Sequence, residues 1–348
     1  VTRPAFYTLA MDQQTHALAD LATEALRAWS PGEARVELVK YRENAVFCVT
    51  EAEGTRYALR IHRPGYRSDA QIRSEVDWMR ALSQAGVRTP EVVPTTAGDV
   101  IAWASVPCVP EPRQCDLLRW VPGEPLGSLE GGAAGDDRTI TARYRTLGEL
   151  AARVHEHGIR WKRPEEFERP AFDAAALVGE EPAWGAFWKL DCLSSAQLEV
   201  LFEARERTRE ELAAFGNAPD RYGLIHGDFL PENVLISQGD PLLIDFDDCG
   251  DSWYAFELAT GLFPMLQNGR PGMVTAAYLE GYRGLRSFPD DWLGRLPAFL
   301  MARTLSYLGW PAGRPENQDA RRIAPLLADL ATGLARRYLA GEPIGSEA

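Results

Sequence analysis

The chain has 348 residues, 45% hydrophobic and 25% charged, which is globular composition with apolar material for two lobes and excludes a disordered polymer. Its formal net charge of −13 at pH 7 argues against a broad nucleic-acid-binding face, while leaving room for a local basic pocket. The cysteines Cys48, Cys108, Cys115, Cys192 and Cys249 form no CxxC pair, and neither a signal-peptide core nor a membrane-length apolar run occurs, so the expectation is free thiols, no zinc cluster and a cytoplasmic, non-membrane protein.

From the N-terminal side, residues 15–29 place Leu18, Leu21, Ala22, Ala25 and Leu26 on one face of a helix that Pro31 and Gly32 stop. Three short β-prone runs follow at 36–41, 45–50 and 57–62. A Glu53-Gly54 turn joins the last two, and the three read as an antiparallel meander. Residues 68–84 form a helix capped by Ser68 or Asp69, with Val76, Met79 and Leu82 on its apolar side. Two more strands are expected at 100–106 and 115–120, and the glycine- and acid-rich stretch 122–137 reads as a linker. Beyond it the pattern is mainly helical, at 141–156, 197–215, 253–263, 273–281, 291–308 and 319–339. Three short apolar runs interrupt the helices, at 223–225, 234–236 and 242–244.

The richest polar set lies beside those three runs. Asp228, Asn233, Asp245 and Asp247 fall within LIHGDFLPENVL and LLIDFDD. Asp and Asn supply hard oxygen ligands of the type magnesium takes, and strand ends are rigid places to mount them. A further aspartate near a metal-bound phosphate can orient a hydroxyl and accept its proton, which is what phosphoryl transfer requires. An Asp after a His-Gly step is also an ordinary turn signal, so the weight rests on the ordered combination HGDxxxxN, strand, DFD.

That combination, with HGDFLPEN and IDFDD as its strongest motifs, resembles the aminoglycoside phosphotransferase family of the protein-kinase-like superfamily. The family also takes in choline kinases, homoserine-kinase-like enzymes and a stress-response protein kinase. The match runs from about residue 36 to 308. The resemblance implies a two-lobed α+β fold: residues 1–121 as an N-terminal nucleotide-binding lobe, an antiparallel sheet with an inserted helix and a helical extension, and residues 122–348 as a mainly helical catalytic and acceptor-binding lobe. It implies Asp228 as the base facing the acceptor hydroxyl and His226 as the brace of its loop. It implies Asn233 and Asp245 as magnesium ligands, with Asp247 assisting, and ATP and Mg2+ as cofactors. Asp248 and Asp251 are expected as local caps and loop anchors.

At the phosphate end, ALRIHRP puts Arg60 where the family usually presents a lysine, and Glu75 on the next helix is the expected partner of that cation. Asp69 and Asp77 are the alternatives one turn away. The turn in YRENAVFCV lacks the repeated glycines of a phosphate-covering loop, so contact there is expected from backbone N–H groups around Asn44. No Walker A motif occurs. In DLLRWVPGEPL, Leu117, Leu118 and Arg119 through Trp120 are expected to flank adenine at the hinge.

The acceptor side is read from Arg303, Tyr307, Trp310, Arg314, Arg321 and Arg322, with Trp184, Trp188 and Lys189. The aromatic residues suit either a quaternary-ammonium cage or a helical core, and the arginines suit a carboxylate-bearing acceptor. The expected function is ATP- and Mg-dependent phosphoryl transfer to a hydroxyl of a small molecule: an aminoglycoside, amino alcohol, homoserine-like compound or sugar. The alternatives are a pseudokinase or nucleotide-binding regulatory protein, given Arg60, and a serine/threonine protein kinase of the stress-response type. Neither nucleic acid nor membrane is an expected partner.

Overall fold

The computed structural model describes residues 5–129, 132, 134–266 and 270–344, and the chain divides into two units. The first comprises Val1–Gln84, Thr89–Pro122 and Arg163–Glu168, and the second Ala85–Arg88, Gly123–Lys162 and Arg169–Ala348.

In the first unit, α1 (Met11–Ala25) runs into a single 3-10 turn and is followed by the hairpin strands β1 (Ala34–Tyr41), β2 (Ala45–Glu51) and β3 (Arg56–Ile61). Then come α2 (Asp69–Gln84), β4 (Val92–Val93), β5 (Ala102–Ala104) and β6 (Arg113–Arg119). The sheet order is β1-β2-β3-β6-β4, with β5 also on β6, and every pair is antiparallel. The expected meander is thus present, and β6 extends it. The apolar stripe of α1 (Leu18, Leu21, Ala22) shares one core with Phe47, Val49, Leu59 and Leu117. Ser68 is the cap of α2: its Oγ accepts from the Gln71 N–H at 3.1 Å, while the Gln71 side chain accepts from the Ser68 N–H at 3.2 Å. The strand expected at 100–106 shrinks to Ala102–Ala104. Oδ1 of Asp99 takes the N–H groups of Val100 and Ile101, at 2.7 and 3.3 Å, and holds that stretch in a turn.

The second unit begins with β7 (Glu124–Pro125), which lies inside the expected linker and pairs with a later strand. Residues 130, 131 and 133 of that linker lie outside the described residues. The helix α3 (Asp137–Arg160) starts a turn before its apolar periodicity does, because Asp136 caps it by accepting from Thr139 N–H at 2.8 Å. After α4 (Ala174–Val178) and α5 (Ser195–Phe215) come two antiparallel ribbons. β8 (Tyr222–Ile225) pairs with β11 (Gly250–Trp253), and β9 (Val234–Ser237) pairs with β10 (Asp240–Leu243) and β7. Next follow α6 (Tyr254–Leu262), α7 (Pro271–Arg283), α8 (Asp290–Leu293), α9 (Leu296–Gly309) and α10 (Gln318–Leu339). The single helix expected at 291–308 is two: α8 ends at Leu293, and Pro297, with no N–H to give, sits in the first turn of α9, where helices accept proline best. Every residue of α6 is buried, as suits a central helix of this unit. No described helix is long and apolar enough to cross a membrane.

Candidate active site

β8 delivers the chain into His226-Gly227-Asp228. Gly227 sits at φ 82°, and a Cβ there would lie 2.2 Å from the carbonyl oxygen of Asp248, so only glycine allows the turn to press against the IDFDD segment. The N–H groups of His226 and Gly227 donate to the two carboxylate oxygens of Glu257 on α6, at 2.7 and 3.0 Å. Burial pushes Glu257 up to about 8; the two backbone bonds and Arg303 oppose that rise, while Asp228 adds to it.

The loop is tied to Ile244 from two sides. His226 Nε2 donates to the Ile244 carbonyl at 3.0 Å, and the Ile244 N–H donates to the Asn233 carbonyl at 2.9 Å. The His226 ring also stands edge-on to Phe246 and Phe229. Asp245 follows Ile244 in the left-handed region, φ 66° and ψ 63°, a conformation that is uncommon for a residue bearing Cβ and clusters at functional sites. Arg169 clamps the turn that follows: Nε donates to the Cys249 carbonyl at 2.7 Å, and Nη2 donates to the carbonyls of Phe246 and Asp247. Asp247 is buried in that turn, and Asp248 accepts from Trp184 Nε1 at 3.2 Å, the anchoring role expected of it. Asp251 lies on β11, where its backbone exchanges hydrogen bonds with Pro170 and Phe172.

Asp228 itself is held at both oxygens. Asn233 Nδ2 donates to Oδ2 at 2.9 Å and to the Asp228 carbonyl at 2.8 Å, and Arg303 Nη2 donates to Oδ1 at 2.9 Å. The Asp228 side chain keeps 24% of its surface exposed, against 6% for Arg303. With its amide nitrogen turned to Asp228, Asn233 has its amide oxygen to offer a cation. Asn233, Asp245 and Asp247 are the hard-oxygen donor types magnesium takes when phosphate and water complete its shell. Among the described residues no group of three or more His, Cys, Asp or Glu forms a protein-only metal cage.

In the first unit, Arg60 on β3 stands directly across from Asp116 on β6. Its Nε donates to Asp116 Oδ1 at 2.8 Å, Nη2 to Oδ2, and Nη1 to Glu75 Oε1 at 2.7 Å. His62, two residues on and just past the end of β3, donates from Nε2 to Asp116 Oδ2 at 3.1 Å. All four side chains are buried, so one guanidinium faces two carboxylates. Burial alone would push Asp116 up, but the charges of Arg60 and then His62 hold it well below the usual carboxylate range. Glu75 is thus the helix partner of Arg60. Asp69 instead accepts from Gln114, and Asp77 pairs loosely with Arg80. Asn44 lies in the β1–β2 turn and accepts from the Arg63 N–H at 3.2 Å, which pins the turn to the end of β3. Leu117 and Leu118 are buried ladder residues of β6, and the N–H groups of Arg119 and Trp120 are committed to the carbonyls of Glu91 and Arg56. Any adenine contact from this stretch therefore uses other groups than those two N–H donors.

Of the residues read as acceptor-side, several are structural. Trp184 stacks on Phe172 at 4.7 Å, and Trp188 packs against Phe187 and Phe202 under Arg205. Arg314 donates to the carbonyls of Trp184 and Trp310. Asp116, His62, Glu257 and Arg169 were not anticipated. Two carried a signal: Asp116 is a charge inside the apolar run CDLL, and Glu257 is the one charge in the apolar helix YAFELATGL.

A profile of the phosphotransferase enzyme family matches residues 36–295. Among solved structures, a microcompartment-associated aminopropanol kinase superposes with a TM-score of 0.81 at 30% identity, covering 92% of this chain and 98% of the other. An amicoumacin kinase in complex with AMP-PNP, Ca2+ and amicoumacin superposes at 0.68 with 22% identity, covering 93% and 94%. An uncharacterized protein of Deinococcus radiodurans is 28% identical over 270 residues, 74% of this chain and 72% of its own length. The amicoumacin kinase of Bacillus subtilis is 23% identical over 300 residues, 82% of each chain. The antiparallel sheet of one unit and the helical body of the other make this the two-lobed α+β protein-kinase-like fold, and the chain belongs to the phosphotransferase enzyme family of ATP-dependent small-molecule kinases.

Proposed function

We propose that this chain transfers the γ-phosphoryl group of ATP to the hydroxyl of a small amino alcohol. The observation that carries the reading is Asp228: a carboxylate fixed at both oxygens by Asn233 and Arg303, yet still partly exposed, on a loop bonded to the residue before Asp245. In this reading Asp228 accepts the proton of the acceptor hydroxyl, whose oxygen lone pair forms the new O–P bond. The bond from γ-phosphorus to the β-phosphate oxygen breaks, and its electron pair leaves on ADP. Asn233 and Asp245, assisted by Asp247, would hold magnesium, which neutralises phosphate oxygens when bound. Asn233 would offer that cation its amide oxygen, its amide nitrogen being committed to Asp228. His226, Glu257 and Arg169 hold the two loops rigid, as positioning of this kind requires.

The amino-alcohol class is supported by the 30% identity to the aminopropanol kinase over 92% of this chain, and by a net charge of −13, which suits a cationic acceptor. The carboxylate-bearing class loses its two best-placed arginines, since Arg303 is paired with Asp228 and Arg314 is bonded to backbone carbonyls.

One observation favours a second reading, a nucleotide-binding protein without transfer: Arg60, at the usual lysine position, is bracketed by two buried carboxylates. Incubation with ATP, Mg2+ and a panel of aminopropanol, ethanolamine, choline, homoserine, aminoglycosides, sugars and a serine peptide separates the two. Transfer to an amino alcohol is expected. In the same assay Asp228→Ala lowers transfer by about 10²-fold or more with nucleotide affinity largely kept, while Asp245→Ala weakens nucleotide binding itself. Wild-type rates in Asp228→Ala would refute the assignment, and Mg-ATP binding without transfer to any alcohol establishes the second reading.

A further inference from the structure

The geometry points to Arg303 as a positioning residue for the transfer step, its guanidinium fixing the Asp228 carboxylate and supplying its counter-charge. The inference rests on the reading of Asp228 as the base of the acceptor hydroxyl. Arg303 lies on the buried helix α9, and a buried guanidinium is costly unless its donors are met. Other arginines of this unit meet theirs at least partly on the backbone: buried Arg314 holds two carbonyls, buried Arg205 holds that of Val178 beside the Glu180 carboxylate, and half-buried Arg169 holds three. Arg303 does not. Among the described residues its one hydrogen bond goes to Asp228 Oδ1, at 2.9 Å, and its Nε is buried without a partner. Nothing in the fold's own hydrogen bonding explains that placement, whereas the half-buried carboxylate does.

Two consequences follow for the carboxylate. Arg303 on Oδ1 and Asn233 on Oδ2 are donors from different elements, so together they fix the plane of the group as well as its position. The carboxylate keeps 24% exposure while Arg303 has 6%, so an incoming hydroxyl meets the aspartate rather than the arginine. When the hydroxyl proton moves to Asp228, the fixed positive charge of Arg303 stays beside that carboxyl group.

The test uses the full chain with ATP, Mg2+ and aminopropanol as acceptor, followed by AMP-PNP binding. Arg303→Ala is expected to lower kcat by about 10²-fold, the scale on which misplacement of a reacting group acts, with AMP-PNP affinity within about twofold of wild type. Arg303→Lys restores part of the rate, and Arg303→Met, similar in length, does not. Guanidinium at tens of millimolar, below denaturing levels, raises transfer by Arg303→Ala about tenfold but leaves Asp228→Asn unchanged. In the Asp228→Asn background, adding Arg303→Ala costs less than about twofold, because the two act as a unit. If Arg303→Ala does not fold, the Lys and Met variants decide by the same readouts. A raised acceptor KM with unchanged kcat, or additive losses in the double variant, overturns the inference. An inactive Asp228→Asn beside a fully active Arg303→Ala overturns this inference alone. Wild-type activity in Asp228→Asn, or no transfer by the wild type to any alcohol, overturns the proposed function and this inference with it.

Discussion

Glu257 is a carboxylate buried at the centre of α6 whose two oxygens receive the N–H groups of His226 and Gly227. Burial raises it from the ordinary 4.5 to about 8, so between those values the folded chain keeps a proton that the unfolded chain has released. Its contribution to stability is therefore complete below about 4.5 and is lost as pH rises through about 8. Glu257→Gln abolishes this titration and replaces one of the two acceptors by an N–H2 group. The variant is expected to be less stable by about 1–3 kcal/mol and to show a flatter dependence of unfolding free energy on pH between 5 and 8 than wild type. Urea unfolding at several pH values measures both, and parallel pH curves for the two chains would remove Glu257 from the account. At the same scale, Arg60 and Glu75 were legible as a pair because the resemblance to the family supplies a strand cation and its helix carboxylate at those positions. Asp116 was not, since it reaches Arg60 across 56 residues of sequence through the β3–β6 register.

Between elements, the contact of α3 with α7 is made backbone to backbone. A Cβ on Gly148 would lie 1.9 Å from the carbonyl oxygen of Tyr278, and one on Gly281 would lie 2.0 Å from that of Arg145. Neither neighbour is a side chain that can rotate away, so the helices must part. Gly148→Ala is expected to destabilise by about 3 kcal/mol, at the upper end of overpacking costs. Gly333→Ala is the control: it lies on the exposed side of α10 with nothing within 4 Å of the new Cβ, and it should stabilise by up to about 1 kcal/mol through helix propensity. Thermal unfolding of the two variants should move in opposite directions; movement in the same direction would mean that the close approach does not govern this helix pair. Helix and strand existence was readable from apolar period, but termini were set by side chains that intercept backbone groups. Asp136 extends α3 and Asp99 shortens the strand before β6. β11 is short, and it carries Asp251 and Ser252, so no apolar run announces it; its pairing with β8 is what makes it a strand.

At the scale of the whole molecule, ligand binding and folding are linked, because a ligand held by the native chain alone raises unfolding free energy by mass action. Mg2+ with AMP-PNP at 100 times its dissociation constant should add about 2.7 kcal/mol to the wild type and to Asp228→Asn, and little to Asp245→Ala. Thermal scanning with and without the nucleotide measures this; no upward shift in the wild type would remove the nucleotide from the reading. The family, the two-lobed architecture and the candidate reactive residues were open to a reader of the chain, because HGDFLPEN and IDFDD are contiguous motifs and apolar periodicity is a short-range property. What surrounds those residues was decided only on folding. Arg303 is 75 residues from Asp228 and Glu257 is 31 from His226, and whether a buried charge serves a partly exposed carboxylate, a loop backbone or the core depends on which distant groups packing brings within 3 Å of it. Spacing along the chain carries no information about that, since low-dielectric burial makes the partner, and not the residue type, determine what the charge does.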